Sequence, residues 1–176
     1  PALPEGLSLA SDCTISGTPS RGQGALPYKV TADIGSDTVS GELRIRVLFQ
    51  PRFVYVANTG SNNVSAYSIN ADGSLNTLTN YTVGTAPRFV LVHPGGRYLY
   101  TANHSSANIS VLEITQATGA LMTLASSPVS TSANPYSLAF DPQGRFLYVG
   151  HESAAVAAVS AYTVNTTTGD LTQISG

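Results

Sequence analysis

The heptamer RFVYVAN at positions 52–58 returns as RYLYTAN at 97–103 and, in a looser form, as RFLYVGH at 145–151. In each copy both alternating sets of side chains are apolar. Phe53 and Tyr55 stand opposite Val54 and Val56, Tyr98 and Tyr100 opposite Leu99, and Phe146 and Tyr148 opposite Leu147 and Val149. A strand in a sheet with one wet face alternates apolar with polar residues, so this pattern requires cover on both faces. Each heptamer is therefore predicted to be a strand of a sheet packed between two neighbouring sheets.

The residues around the heptamers repeat as well. A polar loop leads to VSAYSI (64–69), ISVLEI (109–114) or VSAYTV (159–164), and then to a turn and a short strand in DGSLNTL, TGALMTL or TGDLTQI. Ahead of the second and third copies stand PRFVLVHPGGR, from Pro87, and PYSLAFDPQGR, from Pro135. HPGG and DPQG place Pro at the first central position of a tight turn and Gly where φ turns positive, so each joins two antiparallel strands. The unit is thus four strands in roughly 45–48 residues, the period expected of propeller blades. The first copy has VLFQP where such a turn would stand, and it is expected to lack its first strand. Helical periodicity of useful length is absent.

This ordered set resembles the lactonase-type, or YVTN, β-propeller repeat over residues 51–176. Members of that family usually close a ring of seven blades. Ahead of it, LPEGLSLASDCTISGTPS (3–20) resembles the LPxGLSL…ISGTP signature of Ig-like domains of bacterial surface proteins, with Cys13 and Thr14 where Gly and Thr are usual. LPYKVTADIGSDTVSGELRIRVL then reads as the last two strands of such a sandwich. Val30, Ala32 and Ile34, then Leu43, Ile45 and Val47, alternate as a hairpin with one buried face would. The expected fold is all-β, with residues 1–49 as the C-terminal part of an Ig-like β-sandwich. Residues 50–176 are expected to be about three β-propeller blades of four antiparallel strands in an incomplete ring. An open run of blades leaves faces and edges uncovered. The chain is accordingly read as a segment of a longer exported protein, or as a protomer completed by neighbouring chains.

Composition narrows the function classes. Charged residues make up 10% of the chain, against about 25% in a typical soluble domain, while an apolar fraction of 42% argues against disorder. With a net charge of -2, no face collects the Lys and Arg that nucleic acid or an anionic membrane surface requires. Apolar runs are strand-sized, far below the ~20 residues of a membrane span. The chain opens at Pro1 without a basic-plus-apolar leader, so upstream processing is expected. Cys13 is the single cysteine, which excludes an internal disulfide and suits a small core residue.

The supply of reactive groups is thin. His93 sits in the HPGG turn with Asp141 as its counterpart, and reads as a turn residue. His104 and His151 follow the heptamer strand in corresponding loops, with Glu152 beside the second. An acid–base or metal pair would need them within a few ångströms of each other and a third ligand, so solvent-facing loop residues are the preferred reading. Asp72, Asp141 and Asp170 stand in turns without calcium-loop spacing. Arg52, Arg97 and Arg145 recur before the same strand, which points to a turn or edge role repeated with the blade. Arg88 is replaced by Tyr136 in the next copy. In a closed propeller the start of that strand lies near the central channel, where the family resemblance implies a substrate. No phosphate-cradling glycine loop, GxSxG elbow or paired Cys ligands occur. Asn-x-Ser/Thr sequences at Asn63, Asn80, Asn103, Asn108 and Asn165 matter only in a host that glycosylates exported proteins.

No catalytic, cofactor-binding or metal-binding residue is assigned from the sequence. The reading is of a non-enzymatic exported structural or adhesion protein, extracellular or at the cell surface. Its expected partners are copies of itself or other protein chains, with carbohydrate met through exposed tyrosines. The alternative, implied by the family resemblance, is a sugar-lactone hydrolase of the 6-phosphogluconolactonase kind; fold alone does not decide between them.

Overall fold

Antiparallel strands account for all the regular structure in the computed structural model, which describes residues 3, 6–10, 14–17, 23–34, 37–47, 52–131, 133–152 and 159–175. Contacts divide the chain into two units, Pro1–Gln50 and Pro51–Gly176. In the first, β1 (Leu7–Leu9) pairs with β2 (Ile15–Gly17), and β3 (Gln23–Ile34) pairs with β4 (Asp37–Val47), with Leu26 opposite Ile45 and Ile34 opposite Asp37. Cys13 lies outside the described residues, as do the side chains expected to form the buried face of the β3–β4 hairpin.

The second unit holds three sheets in sequence order. β5 (Phe53–Asn58), β6 (Asn63–Ile69) and β7 (Leu75–Thr82) form the first blade, which has three strands among the described residues; residues 48–51, of the VLFQP stretch expected to replace its first strand, lie outside them. β8 (Pro87–Val92), β9 (Tyr98–Asn103), β10 (Asn108–Ile114) and β11 (Leu121–Thr123) form the second, and β12 (Val129–Ser130) adds to the free end of β10. β13 (Pro135–Phe140), β14 (Phe146–His151), β15 (Val159–Val164) and β16 (Leu171–Gln173) form the third. The two proline turns close as the sequence predicts. The Gly96 amide donates to the His93 carbonyl at 2.7 Å and the Gly144 amide to Asp141 at 2.9 Å, each glycine with positive φ.

The double-sided apolar pattern of the heptamers becomes two dry seams between blades. Leu99, Leu112, Ile114 and Leu121 of the second blade face Val64 of the first. On its opposite face, Tyr98, Tyr100, Ile109 and Val111 meet Leu138, Leu147, Val149 and Tyr162 of the third. Every residue of β9 is buried, as a strand covered on both sides must be. Full burial of such side chains stabilises the fold by roughly 1.5–3 kcal/mol each.

At each seam the aromatic pair of one heptamer sits on the glycine turn of the following blade. The Tyr55 hydroxyl donates to the Gly119 carbonyl at 2.9 Å and that of Tyr100 to Gly169 at 2.7 Å, while Tyr98 donates to Thr167. A Cβ at Gly119 would stand 2.3 Å from the Phe53 ring, and one at Gly169 would stand 2.6 Å from that of Tyr98. Burial, with a smaller contribution from nearby Tyr81, pushes the Tyr55 hydroxyl up to about 12, and burial raises Tyr100 also, so both remain protonated donors. Arg52, Arg97 and Arg145 each stack on the aromatic ring that follows them, at 5.6, 5.6 and 5.5 Å from the centroid. Their recurrence is therefore structural, worth about 0.5–1 kcal/mol at an exposed site.

His93 adds a polar bridge across the second seam. It is 3% exposed, its Nδ1 accepts the Gly95 amide at 2.9 Å, and its Nε2 lies 2.9 Å from the Gly144 carbonyl in the DPQG turn of the next blade. With Nδ1 accepting, Nε2 carries the proton and donates. Asp141, its counterpart, accepts the Phe146 amide at 2.8 Å. Burial pushes the Asp141 carboxyl up, but the backbone amides of Phe146, Arg145 and Gln143 and the Arg145 guanidinium outweigh it and hold the carboxyl below its ordinary value.

Two outcomes are expected. Gly169→Ala should lower stability by about 1–3 kcal/mol, because a Cβ in this positive-φ turn meets the Tyr98 ring, and the loss is read as a lower denaturant midpoint. For Asp141, a depressed folded-state value contributes stability above the unfolded carboxyl value of about 3.9, lost as pH falls through the folded value. The melting temperatures of wild type and Asp141→Asn should therefore differ at neutral pH and converge on acidification.

Candidate functional site

The inner strands of the second and third blades carry the same irregularity at the same place. Register shifts between Pro87 and Phe89 on β8, and between Pro135 and Ser137 on β13, leave Arg88 and Tyr136 as the extra residues of two β-bulges. A bulge interrupts the ladder and re-aims the side chain that it carries. Here the re-aimed pair meets: the Arg88 guanidinium carbon lies 6.0 Å from the centroid of the exposed Tyr136 ring.

Two loop residues join them. His104 leaves the end of β9 with its amide bonded to the Ala86 carbonyl at 3.0 Å, which fixes the loop over the start of β8. Its ring stands edge-on to Tyr136 at 6.5 Å, and its Nε2 lies 2.5 Å from Oε2 of Glu152. Glu152 in turn is held by its amide, which donates to the Asn134 carbonyl at 3.2 Å. The cluster thus takes Arg88 and His104 from one blade and Tyr136 and Glu152 from the next. In the first blade Thr59 occupies the position of His104 and Glu152, and its hydroxyl donates to the Pro87 carbonyl at 2.8 Å. In the first two copies the first loop residue after the heptamer therefore reaches the following blade, whereas Glu152 of the third meets the blade before it.

The residue that ends each heptamer has a supporting role. The Asn103 side-chain amide donates to Asn108 and to the Ser110 hydroxyl, both at 2.8 Å, and its oxygen accepts from Thr101 at 3.1 Å. Asn58 bonds Asn63 and Ser65 in the same way, at 2.8 and 2.7 Å. In the third copy His151 takes this place, 2.9 Å from the Ser160 hydroxyl. The two loop histidines are consequently not paired with each other. The neighbour of His151, Glu152, is the group that meets His104.

The other turn carboxylates lie away from this cluster, Asp72 bonded within its own turn and Asp170 also to Ser126 of the preceding blade. Asp72 accepts from the Ser74 amide and hydroxyl at 3.0 and 2.7 Å, and Asp170 from Ser126 and Thr168 at 2.5 and 2.6 Å. Among the described residues no three His, Cys, Asp or Glu side chains gather closely enough to share a metal ion. What the bulge cluster offers is an imidazole–carboxylate dyad, an exposed guanidinium and an aromatic face. Those groups suit proton transfer and the binding of a polar, ring-shaped ligand. Sequence reasoning held each residue singly but not their meeting, because a bulge is a property of register between two strands. Its visible trace is the Arg or Tyr that follows the strand-opening proline in both copies.

The profile of the family described as Lactonase, 7-bladed beta-propeller, matches residues 20–133, most of the chain and part of its first unit. The 6-phosphogluconolactonase of Serratia proteamaculans is 33% identical over 79 residues, covering 44% of this chain and 24% of the relative. That of Enterobacter is 28% identical over 107 residues, covering 61% of this chain and 32% of the relative. The chain spans about a quarter to a third of the length of these curated relatives. Among solved structures, the periplasmic gluconolactonase PpgL of Pseudomonas aeruginosa superposes with a TM-score of 0.62 at 19% identity, over 70% of this chain and 36% of that one. That likeness shows the fold.

These relatives correct the expectation of a non-enzymatic surface or adhesion protein, since the proteins aligned with the repeats are named as lactonases. The sequence misled for a physical reason. Each blade brings only one or two polar groups to the bulge cluster, about 50 residues from the next, so no local motif collects them.

Proposed function

This chain belongs to the lactonase family of seven-bladed β-propellers, and from that premise we propose that its blades form part of a hydrolase that opens sugar lactones. The observation that carries the reading to particular residues is the contact of His104 with Glu152 across two blades, beside Arg88 stacked on Tyr136. With Nε2 donating to the carboxylate, Nδ1 of His104 is left as the basic nitrogen. It takes a proton from water as the water oxygen attacks the lactone carbonyl carbon. The Arg88 guanidinium stabilises the tetrahedral oxyanion, and the exposed Tyr136 ring supports the sugar face. Collapse of the oxyanion breaks the bond between carbonyl carbon and ring oxygen, and the proton held on His104 passes to that oxygen. The product is the open-chain hydroxy acid.

Acid release from glucono-1,5-lactone and from its 6-phosphate, followed at constant pH, tests this. His104→Ala should lower kcat by about 10²–10⁴-fold, and Arg88→Ala should lower kcat for both lactones, because the oxyanion it faces forms from either. Release no faster than the spontaneous reaction, or His104→Ala turning over as wild type, would refute the assignment.

We also infer that residues 1–49 are the C-terminal part of an Ig-like module and that the chain works outside the cytoplasm. The separate contact unit Pro1–Gln50, the two antiparallel pairs within it and the LPEGLSL…ISGTPS resemblance support the module. The low charge and the periplasmic relative support the location. Two modules should unfold calorimetrically in two transitions, and a single cooperative transition for the whole chain would count against them.

A further inference from the structure

The backbone just ahead of the Arg88 bulge is held in a conformation that alanine seldom takes. Ala86 has a φ of +52°, in the left-handed region where the Cβ of an L residue is crowded, and such an outlier persists only where its surroundings fix it. Two bonds do so here. The Ala86 amide donates to the side-chain oxygen of Asn62, in the first blade, at 2.9 Å, and the Ala86 carbonyl accepts the His104 amide at 3.0 Å. The next carbonyl, that of Pro87, accepts from the Thr59 hydroxyl, also of the first blade. The segment before Ala86 lies pressed on the loop that carries His104. A Cβ at Gly84 would collide with the Ser106 hydroxyl and the Asn103 side chain, while Thr85 donates its amide to the Ser106 hydroxyl at 2.9 Å and accepts the Ser105 amide at 3.1 Å.

We propose that Asn62 is a positioning residue for the bulge cluster: through Ala86 it sets the backbone from which His104 reaches Glu152. Its effect on turnover rests on the lactonase reading above, whereas its effect on the loop rests on the hydrogen bonds alone. Ala107 occupies the place of Asn62 in the second copy, with the same left-handed backbone, φ +48° beside +56°, and it has no side-chain acceptor. The fold therefore needs the bend at this loop position but not the amide, and what the Asn62 side chain adds is a partner for Ala86. Without that partner, relaxation of Ala86 toward negative φ shifts its carbonyl away from the His104 amide, and the imidazole loses its aim at the carboxylate. The first blade thus gives no group to the cluster and yet holds two of its members. Thr59 bonds the residue before Arg88, and Asn62 bonds the residue on which His104 rests.

Amide hydrogen exchange and lactone turnover, measured on the full polypeptide with Asn62→Ala and Asn62→Asp, decide it. Asn62→Ala puts at this position the residue type found at 107 and removes the acceptor, whereas Asn62→Asp keeps an acceptor oxygen in a residue that tolerates positive φ. In Asn62→Ala the Ala86 and His104 amides should exchange roughly ten-fold faster, as the loss of one hydrogen bond allows, while those of β9 and β10 keep their wild-type protection. Turnover of glucono-1,5-lactone should fall by up to about 10²-fold in kcat. KM should hold, because Thr59 still fixes Pro87 beside Arg88 and Tyr136 lies on the third blade. Asn62→Asp should restore both readouts. An unchanged His104 amide in Asn62→Ala, or a faster one with kcat unchanged, overturns the proposal. So does a loss of protection that spreads through β9 and β10, or one that Asn62→Asp leaves in place. A wild type without turnover refutes the lactonase reading instead, and the exchange rates then decide the clamp by themselves.

Discussion

The seat of an aromatic pair on a bare glycine turn holds this architecture together. Each blade turns Phe or Tyr toward its successor, and the successor answers with a turn that has no side chain at the point of contact. The tyrosine hydroxyls then reach backbone carbonyls that would otherwise be covered by apolar rings without a donor, at Gly119 and Gly169. Apolar area, ring shape and hydrogen bonding are thus satisfied at one place. The spacing between heptamer and turn is therefore constrained more tightly than the sequence of the loops between them.

The bulge cluster depends on that stacking. His104 and Glu152 belong to different blades and approach within 2.5 Å only because the second seam fixes the two sheets against each other. Below them the Asn103 amide network and His151 with Ser160 tie the ends of the heptamer strands to their neighbours, so the loop residue that follows each is aimed from a rigid base. His93 pins the opposite end of the same seam, from the HPGG turn to the DPQG turn. The seam is thus bonded by polar groups near both ends and dry between them.

Much of the fold was legible because its information is local and written three times. Two-sided apolar strands, proline turns and glycine hairpins each follow from a few neighbouring residues. The candidate site was less legible. Arg88 and Tyr136 converge through a shift of register, and His104 finds Glu152 through the placement of one sheet on another. The exposure of Tyr148 and Val56 was hidden as well: their sequences match those of buried equivalents, and only the neighbouring sheet distinguishes them.

The burial of Asn103 bears on where this chain can be made. Asn103-His104-Ser105 is an acceptor for oligosaccharide transfer, yet the side-chain nitrogen that would carry the sugar donates two hydrogen bonds inside the protein. In a eukaryotic secretory pathway the transferase meets the chain before it folds, and a glycan placed there would bar the second blade from closing. A compartment without that transferase imposes no such conflict, so the sequence resists production in secreting yeast or animal cells.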